Sequence, residues 1–297
     1  MFTFNRLTKV FDSSKEIPLN NSSKLILMSD CHRGDNSWAD DFAHNQNIMF
    51  TALNYYFNNG FTYIELGDGD ELWEIRRFSE IREAHSHIFE LMSKFYLKNR
   101  LYMIYGNHDI VKKNEGFVKE NLYSYYDNKT NKKEILFENI KIHEGLILNY
   151  EKTDDKIFLL HGHQGDLLND YLWWLARFLV RYVWRPLELY FCLKDPISPA
   201  KNSKKKRTVE KRIIKWVEAK KQMTIAGHTH RPMFPNIHEP LYFNVGSCVH
   251  PRGITGIEIK NGTITLIKWA IKARADGVLY VDKDIISKPE KLESYFV

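Results

Sequence analysis

Cysteine is scarce in this chain of 297 residues: Cys31, Cys192 and Cys248 are an odd number with no paired spacing. A disulfide framework is therefore excluded as the organising device, and a reducing compartment is the expected setting. Long apolar runs are lacking as well. The most aromatic stretch, residues 171–185, contains Arg177, Arg181 and Arg185 and is followed by Pro186 and Glu188, so a transmembrane span of about 20 apolar residues is not expected. The start, Met1-Phe2-Thr3-Phe4-Asn5-Arg6, turns polar without the apolar run and small-residue cleavage site of a signal peptide. Internal repeats and low-complexity segments are missing too. What is there reads as a cytoplasmic chain whose 43% hydrophobic residues supply a core that needs no covalent staple.

The formal net charge of +6 is concentrated in one place. Residues 201–221 hold ten lysines and arginines against Glu210 and Glu218, a local charge of +8 that leaves the remainder near −2. Such a run is ordinarily the solvated face of a helix; contact with phosphate-rich material such as nucleic acid is the functional alternative.

Hydrophobic periodicity divides the chain. Residues 1–23 lack a clear period and read as an extension laid over the surface. Short apolar runs at 24–29, 61–66 and 101–105 read as buried strands, and Phe42, Ile48, Met49, Ala52, Leu53 and Tyr56 recur at helical spacing between the first two. A long helical stretch is expected at 72–98. Strand, helix, strand, helix, strand argues for parallel strands with crossover helices. A more β-rich part follows, with strands at 134–137, 140–143, 146–149, 156–160, 223–226 and 241–245 and a closing hairpin turned at Asn261-Gly262.

Five of these strands run into polar residues able to hold a metal: Asp30 and His32; Asp68; Asn107; His161 or His163; His228 and His230. Strand ends are where open α/β proteins hold their ligands. Taken singly, an Asp in such a turn is a capping residue and a lone His a hydrogen-bonded structural one. The spacing points elsewhere. In Asp30-Cys31-His32 and His228-Thr229-His230 one residue separates the two candidates, so extended backbone would turn both side chains to one side, with Cys31 pointing away. Oxygen and imidazole donors without thiolate suit manganese, iron or zinc.

In chain order, D-x-H at Asp30, G-D-x-x-E at Gly67, G-N-H-D at Gly106, H-G-H at His161 and G-H-T-H at Gly227 resemble the motifs of the calcineurin-like metallophosphoesterases. The resemblance implies an α/β (α+β) fold, a four-layer sandwich of two mixed β-sheets flanked by helices. It also implies two divalent metal ions, manganese first and iron or zinc as alternatives. Carried over by motif position, Asp30, His32 and His230 would hold one ion, Asp68 would bridge, and Asn107, His228 and His161 would hold the other. His163 would then contact the substrate or support the ligands, though it could exchange roles with His161. His108 would face the leaving group as a proton donor, oriented by Glu71 or, less favourably, Asp70; the alternative for Glu71 is a carboxylate at a helix N-terminus. Asn244-Val245-Gly246-Ser247 resembles the N-x-G-S turn that lines such sites, and Gly106 is expected to let the backbone turn. Arg33 and Arg231 are further candidates for a phosphate contact, with solvent exposure as the alternative. The implied chemistry is attack by a metal-bridging hydroxide, formed because two cations lower the pKa of water and clamp the phosphate oxygens of an in-line displacement.

One metallophosphoesterase domain over residues 1–297 is expected, interrupted at 166–222 by a helical lid. Arg177, Arg181 and Arg185 recur every four residues, a basic stripe on an otherwise apolar helix. The options are a helix packed on the sheets, a cap over the site, or an interfacial helix at 171–193 touching the membrane through Trp173, Trp174 and Trp184. This layout also resembles the UDP-2,3-diacylglucosamine hydrolases, which place a helical lid between the H-G and G-H-T-H motifs and share the G-H-T-H-R-P string found here at Gly227. Those enzymes commonly carry arginine where this chain has His108. The expected function is a phosphohydrolase acting on a phosphate mono- or diester, including a nucleotide- or lipid-linked pyrophosphate. Protein phosphatase or nuclease activity is the alternative within the same chemistry, and a catalytically silent binding scaffold is the rival from another class.

Overall fold

The computed structural model describes residues 2–127, 131–184 and 203–296. The strands are β1 (Lys15–Leu19), β2 (Lys24–Met28), β3 (Thr62–Leu66), β4 (Leu101–Ile104), β5 (Ser124–Asp127), β6 (Lys132–Ile135), β7 (Ile142–His143), β8 (Gly145–Tyr150) and β9 (Asp155–Leu160). They continue with β10 (Met223–Ala226), β11 (Tyr242–Asn244), β12 (Ile254–Lys260), β13 (Thr263–Ala273), β14 (Leu279–Ile285) and β15 (Glu290–Lys291). One sheet has the order β14-β13-β12-β2-β3-β4-β7, the other β1-β8-β9-β10-β11, while β5 and β6 form a separate hairpin. Parallel pairing of β2, β3 and β4 places their C-terminal ends side by side, and β9, β10 and β11 do the same in the facing sheet.

Side-chain alternation builds the layers. In β2, Leu25 and Leu27 enter the core between the sheets, while Ile26 and Met28 face the helical layer. Strand β9 answers from the other sheet: Ile157 and Leu159 point inward, Phe158 and Leu160 outward. Helices α2 (Gln46–Asn58) and α4 (Ser86–Leu97) cover the first sheet through Met49, Leu53, Phe89 and Phe95. Helix α1 (Phe2–Ser13) and the Ser203–Lys220 helix cover the second through Leu7, Val10, Val209, Ile213 and Trp216. The result is the four-layer α/β sandwich, with both sets of strand ends opening on the same edge.

Two sequence expectations change, and one strand was not expected at all. Residues 1–23 are not a surface extension: α1 buries Leu7 and Val10, and β1 pairs parallel with β8 at the sheet edge. The stretch 72–98 is not one helix. It breaks at His85, whose Nε2 bonds Asp40 at 2.8 Å, dividing α3 (Phe78–Ala84) from α4 and leaving residues 72–77 out of both. Strand β14 continues the closing hairpin with mostly exposed side chains, so the apolar alternation that marks a strand is missing there. The Asn261-Gly262 turn lies where expected, both residues at positive φ (52° and 68°) between β12 and β13.

Among the described residues no helix is long and apolar enough to cross a membrane. The basic run lies on the Ser203–Lys220 helix, with Arg207, Lys211 and Lys215 exposed and Glu210 buried. Residues 185–202, which include Arg185, Pro186, Cys192 and part of the expected lid, fall outside the described residues.

Candidate metal centre

The residues following β2, β3 and β10 reach the site through left-handed backbone. Asp30, His32, Asp68, His228 and His230 all have positive φ, between 48° and 67°, a region that Asn, Asp and His enter more readily than other side chains. The two D-x-H and H-x-H pairs are therefore not extended. Asp30 and His32 share one group with His230, whereas His228 lies in the other with Asp68 and His161. At Gly106 glycine is needed for room rather than rotation. A Cβ on Gly106 would sit 2.1 Å from Asp68 Oδ1 and 2.5 Å from its amide nitrogen, and the φ of Gly106 is not positive.

In the first group, His230 Nε2 is 3.1 Å from Asp30 Oδ1 and 3.3 Å from His32 Nε2. In the second, His161 Nε2 is 3.1 Å from Asp68 Oδ2 and 3.3 Å from Asn107 Oδ1. Asp68 stands between them, since the same Oδ2 is 3.7 Å from His32 Nε2 and its Oδ1 accepts the His108 amide at 2.8 Å. Two donors about 2.1 Å from one ion lie about 3 Å apart at tetrahedral or octahedral angles, so these separations suit cation ligation. His161 is aimed by its own Nδ1, which bonds Leu66 O at 2.9 Å.

Electrostatics agree with a cation-holding site. Buried carboxylates need compensating positive charge, and here protonated imidazoles supply it. Burial opposes the charge on His32, yet Glu71, Asp68 and Asp30 outweigh it and raise the ring to about 10. His161 is raised to about 9 against burial by Asp68 and Asp30. Burial, reinforced by His161, lowers His228 to about 3, and its Nε2 has no hydrogen-bond partner although fully enclosed. An orphaned, neutral imidazole nitrogen beside a carboxylate is a lone pair suited to a metal. The residues present therefore fit a divalent ion in each group.

Glu71 is shared. Its carboxylate receives Nδ1 of His32 and Nδ1 of His108, each at 2.8 Å, and although burial works against ionisation, His108 and His32 hold it down to about 2. Both rings consequently turn Nε2 toward the site. Asp70 instead bonds Arg33 and Lys112.

Several other candidates sit elsewhere. Arg33 is fully buried and clasped by Glu65 at 2.7 Å and Asp70 at 2.7 Å, which removes it from the solvent and from any phosphate. Arg231 pairs with Glu210 of the basic helix, as does Thr229 Oγ1 at 3.0 Å, so that helix braces the His228 loop. Asn244 Nδ2 donates to Gly227 O at 2.6 Å and its Oδ1 accepts from Gly246 N at 2.9 Å, fixing the same loop from below. His163 is buried in a separate group with Glu144 and Asp170, two acids already paired with Arg6.

Three participants were not anticipated. Trp73 stacks on His108 with ring centroids 4.2 Å apart and 21° between planes; an aromatic two residues beyond the glutamate of G-D-x-x-E is the available signal. Asp109 accepts the amides of Gly106 at 2.7 Å and Gly69 at 3.2 Å, tying the Asn107 and Asp68 loops together. Lys112 balances Asp109 at 2.7 Å and Asp70 at 2.6 Å, completing a buried ionic floor with Arg33 and Glu65.

The calcineurin-like phosphoesterase family model matches residues 23–232. Among solved structures, Vps29 of Chaetomium thermophilum is similar at TM-score 0.41 and 9% identity, covering 89% of this chain and 97% of that one. A cold-active protein-tyrosine phosphatase of a psychrophilic Shewanella species is similar at TM-score 0.38 and 11% identity, covering 90% and 83%. No curated protein matches the chain. With the family match spanning the whole run of motifs from β2 to the G-H-T-H loop, the chain belongs to the calcineurin-like phosphoesterases, metal-dependent hydrolases of phosphoesters.

Proposed function

We propose that the protein hydrolyses a phosphate mono- or diester with two divalent ions, manganese being the first candidate. The observation that carries this reading is Asp68, one carboxylate within reach of two separate ligand groups. Asp30, His32 and His230 would hold one ion, His161, His228 and Asn107 the other, with Asp68 between. When bound, the ions would acidify a water and neutralise the phosphate oxygens of an in-line displacement. The remaining work falls to side chains. Glu71 keeps the proton of His108 on Nδ1, and Trp73 holds that ring in one plane, so His108 presents Nε2 to the leaving oxygen and can give it a proton.

The direct test is hydrolysis of p-nitrophenyl phosphate and of its bis-ester with added Mn²⁺, for the wild type, Asp68→Ala and His108→Ala. Both substitutions should lower turnover by about 100-fold or more. Equal turnover in all three proteins would sink the proposal and leave the binding-scaffold alternative standing.

A further inference from the structure

His108 is held by two neighbours with unequal support of their own. Glu71 takes its Nδ1 at 2.8 Å, and Trp73 covers one face of its ring. Trp73, however, belongs to residues 72–77, which lie in no helix or strand. Leu72, Trp73 and Ile75 are nevertheless buried, so their carbonyls need donors. Among the described residues no backbone amide serves the carbonyl of Leu72 or of Trp73.

The donor comes from the lid. Arg181 lies in the wider turn Val180–Trp184 that continues the helix Trp173–Leu179. Its Nε donates to Trp73 O at 2.8 Å, and one terminal nitrogen donates to Leu72 O at 2.7 Å and reaches Ile75 O at 3.4 Å. Because the guanidinium is a rigid plane, it holds the peptide groups on both sides of the Trp73 Cα at once. Ala176 and Val180 pack on the Trp73 side chain, with Trp173 and Trp184 beside them. The return contact is Arg76, which donates to Tyr182 Oη at 2.9 Å and lies 5.3 Å from the centre of its ring. Lid and 72–76 segment therefore clasp each other from both sides.

We infer that Arg181 is a positioning residue for the proton donor: Arg181 fixes Trp73, Trp73 fixes the plane of His108, and the lid thereby aims the acid of the reaction. This rests on the phosphohydrolase reading and on the role given there to His108. In the step concerned the P–O bond to the leaving group breaks, and its electron pair and the Nε2 proton of His108 both pass to the leaving oxygen. That oxygen departs as a hydroxyl, and water returns a proton to the ring. A ring free to tilt would still reach Glu71 but would miss the leaving oxygen, and a misplacement of about 1 Å costs about 100-fold. The loss should grow with the basicity of that oxygen, since a nitrophenolate departs unprotonated more readily than a phenolate.

The test compares p-nitrophenyl phosphate with phenyl phosphate at saturating Mn²⁺. Arg181→Met keeps the apolar stem and loses the donors; it should lower turnover of the phenyl ester about 100-fold and of the nitrophenyl ester about tenfold. Arg181→Lys, which keeps one donor group, should fall between Arg181→Met and the wild type. In a His108→Ala background Arg181→Met should cost no more than about twofold, because a residue acting only through His108 has nothing left to act on. General damage to the lid would slow both esters alike and would persist without His108. A second readout does not depend on turnover: stacked on an indole, the His108 ring protons should resonate upfield. With Zn²⁺ in place of paramagnetic Mn²⁺, Arg181→Met should move them toward their position in Trp73→Leu. The inference is overturned if Arg181→Met slows both esters equally, if its cost persists in the His108→Ala background, or if the His108 signals stay at their wild-type positions. Should even the wild type hydrolyse neither ester, the phosphohydrolase reading falls by itself, and the ring protons alone decide whether Arg181 places His108.

Discussion

Replacing Glu71 should damage two functions at once, and the two can be measured apart. Its carboxylate takes Nδ1 of His32 and Nδ1 of His108, each at 2.8 Å, in a nearly enclosed setting. Glutamine has the same length but one acceptor oxygen, so Glu71→Gln can keep only one of the two bonds. Losing the partner that orients a ligating histidine lowers metal affinity about 10–100-fold, and releasing a positioned proton donor lowers turnover by about 100-fold or more. His108→Ala should reproduce the loss of turnover and leave Mn²⁺ affinity near wild type, since His108 has no place among the proposed ligands. Calorimetric Mn²⁺ titration gives the affinity, and nitrophenyl ester hydrolysis at saturating Mn²⁺ gives the rate. The reasoning fails if Glu71→Gln retains both quantities, or if His108→Ala weakens Mn²⁺ binding as much as Glu71→Gln does.

Metal binding at pH 7 should release protons, because His32 and His161 are raised to about 10 and about 9 in the metal-free chain and must be neutral to ligate; calorimetry in buffers of different ionisation enthalpy should show this, and an enthalpy independent of buffer would refute it. The same shifts fix a sign for stability. Both folded values exceed the ordinary histidine value, so their contribution is complete below about pH 6.5 and disappears as pH rises through about 9 to 10; the metal-free melting temperature should fall across that window, and a rise would count against the assignment. Asp109→Ala strands Lys112 in the buried floor and releases the Gly106 and Gly69 amides, so thermal or urea unfolding should show a loss of about 3–5 kcal/mol. Gly106→Ala would press a methyl group against Asp68 and should weaken Mn²⁺ binding at least tenfold; unchanged affinity would mean that the loop yields without disturbing Asp68.

The strand pattern and the order of the motifs carried most of the architecture, because β2, β3, β4, β9 and β10 are short apolar runs that end abruptly in polar residues. What periodicity could not carry was backbone hand. Two ligands separated by one residue look alike whether the chain is extended or left-handed; here left-handed Asp30 and His32 share a group while left-handed His228 and His230 go to different ones. Arg33 misled for a related reason: a cation next to a ligand reads as a substrate contact, whereas Glu65 on the outer side of β3 and Asp70 draw it into the interior. Trp73 was hidden in an apolar stretch that reads as uninterrupted helix, and only the break at His85 and the early departure of residues 72–77 free it to stack on His108. Residues 1–23 failed to show a period because α1 buries only Leu7 and Val10 completely.

The five left-handed residues constrain anyone who would transplant this centre. Each such conformation disfavours an ordinary L-residue by about 1–2 kcal/mol, and branched side chains tolerate it worst. A grafted site must therefore be chosen for backbone as well as for donor atoms. Swapping one donor for another at Asp30, His32, Asp68, His228 or His230 would succeed first with asparagine, aspartate or histidine, because these residues satisfy both demands. The alphabet of the loops is thus narrower than the alphabet of metal ligands, and a library that randomises these positions without regard to φ would spend most of its members on chains that cannot close the turn.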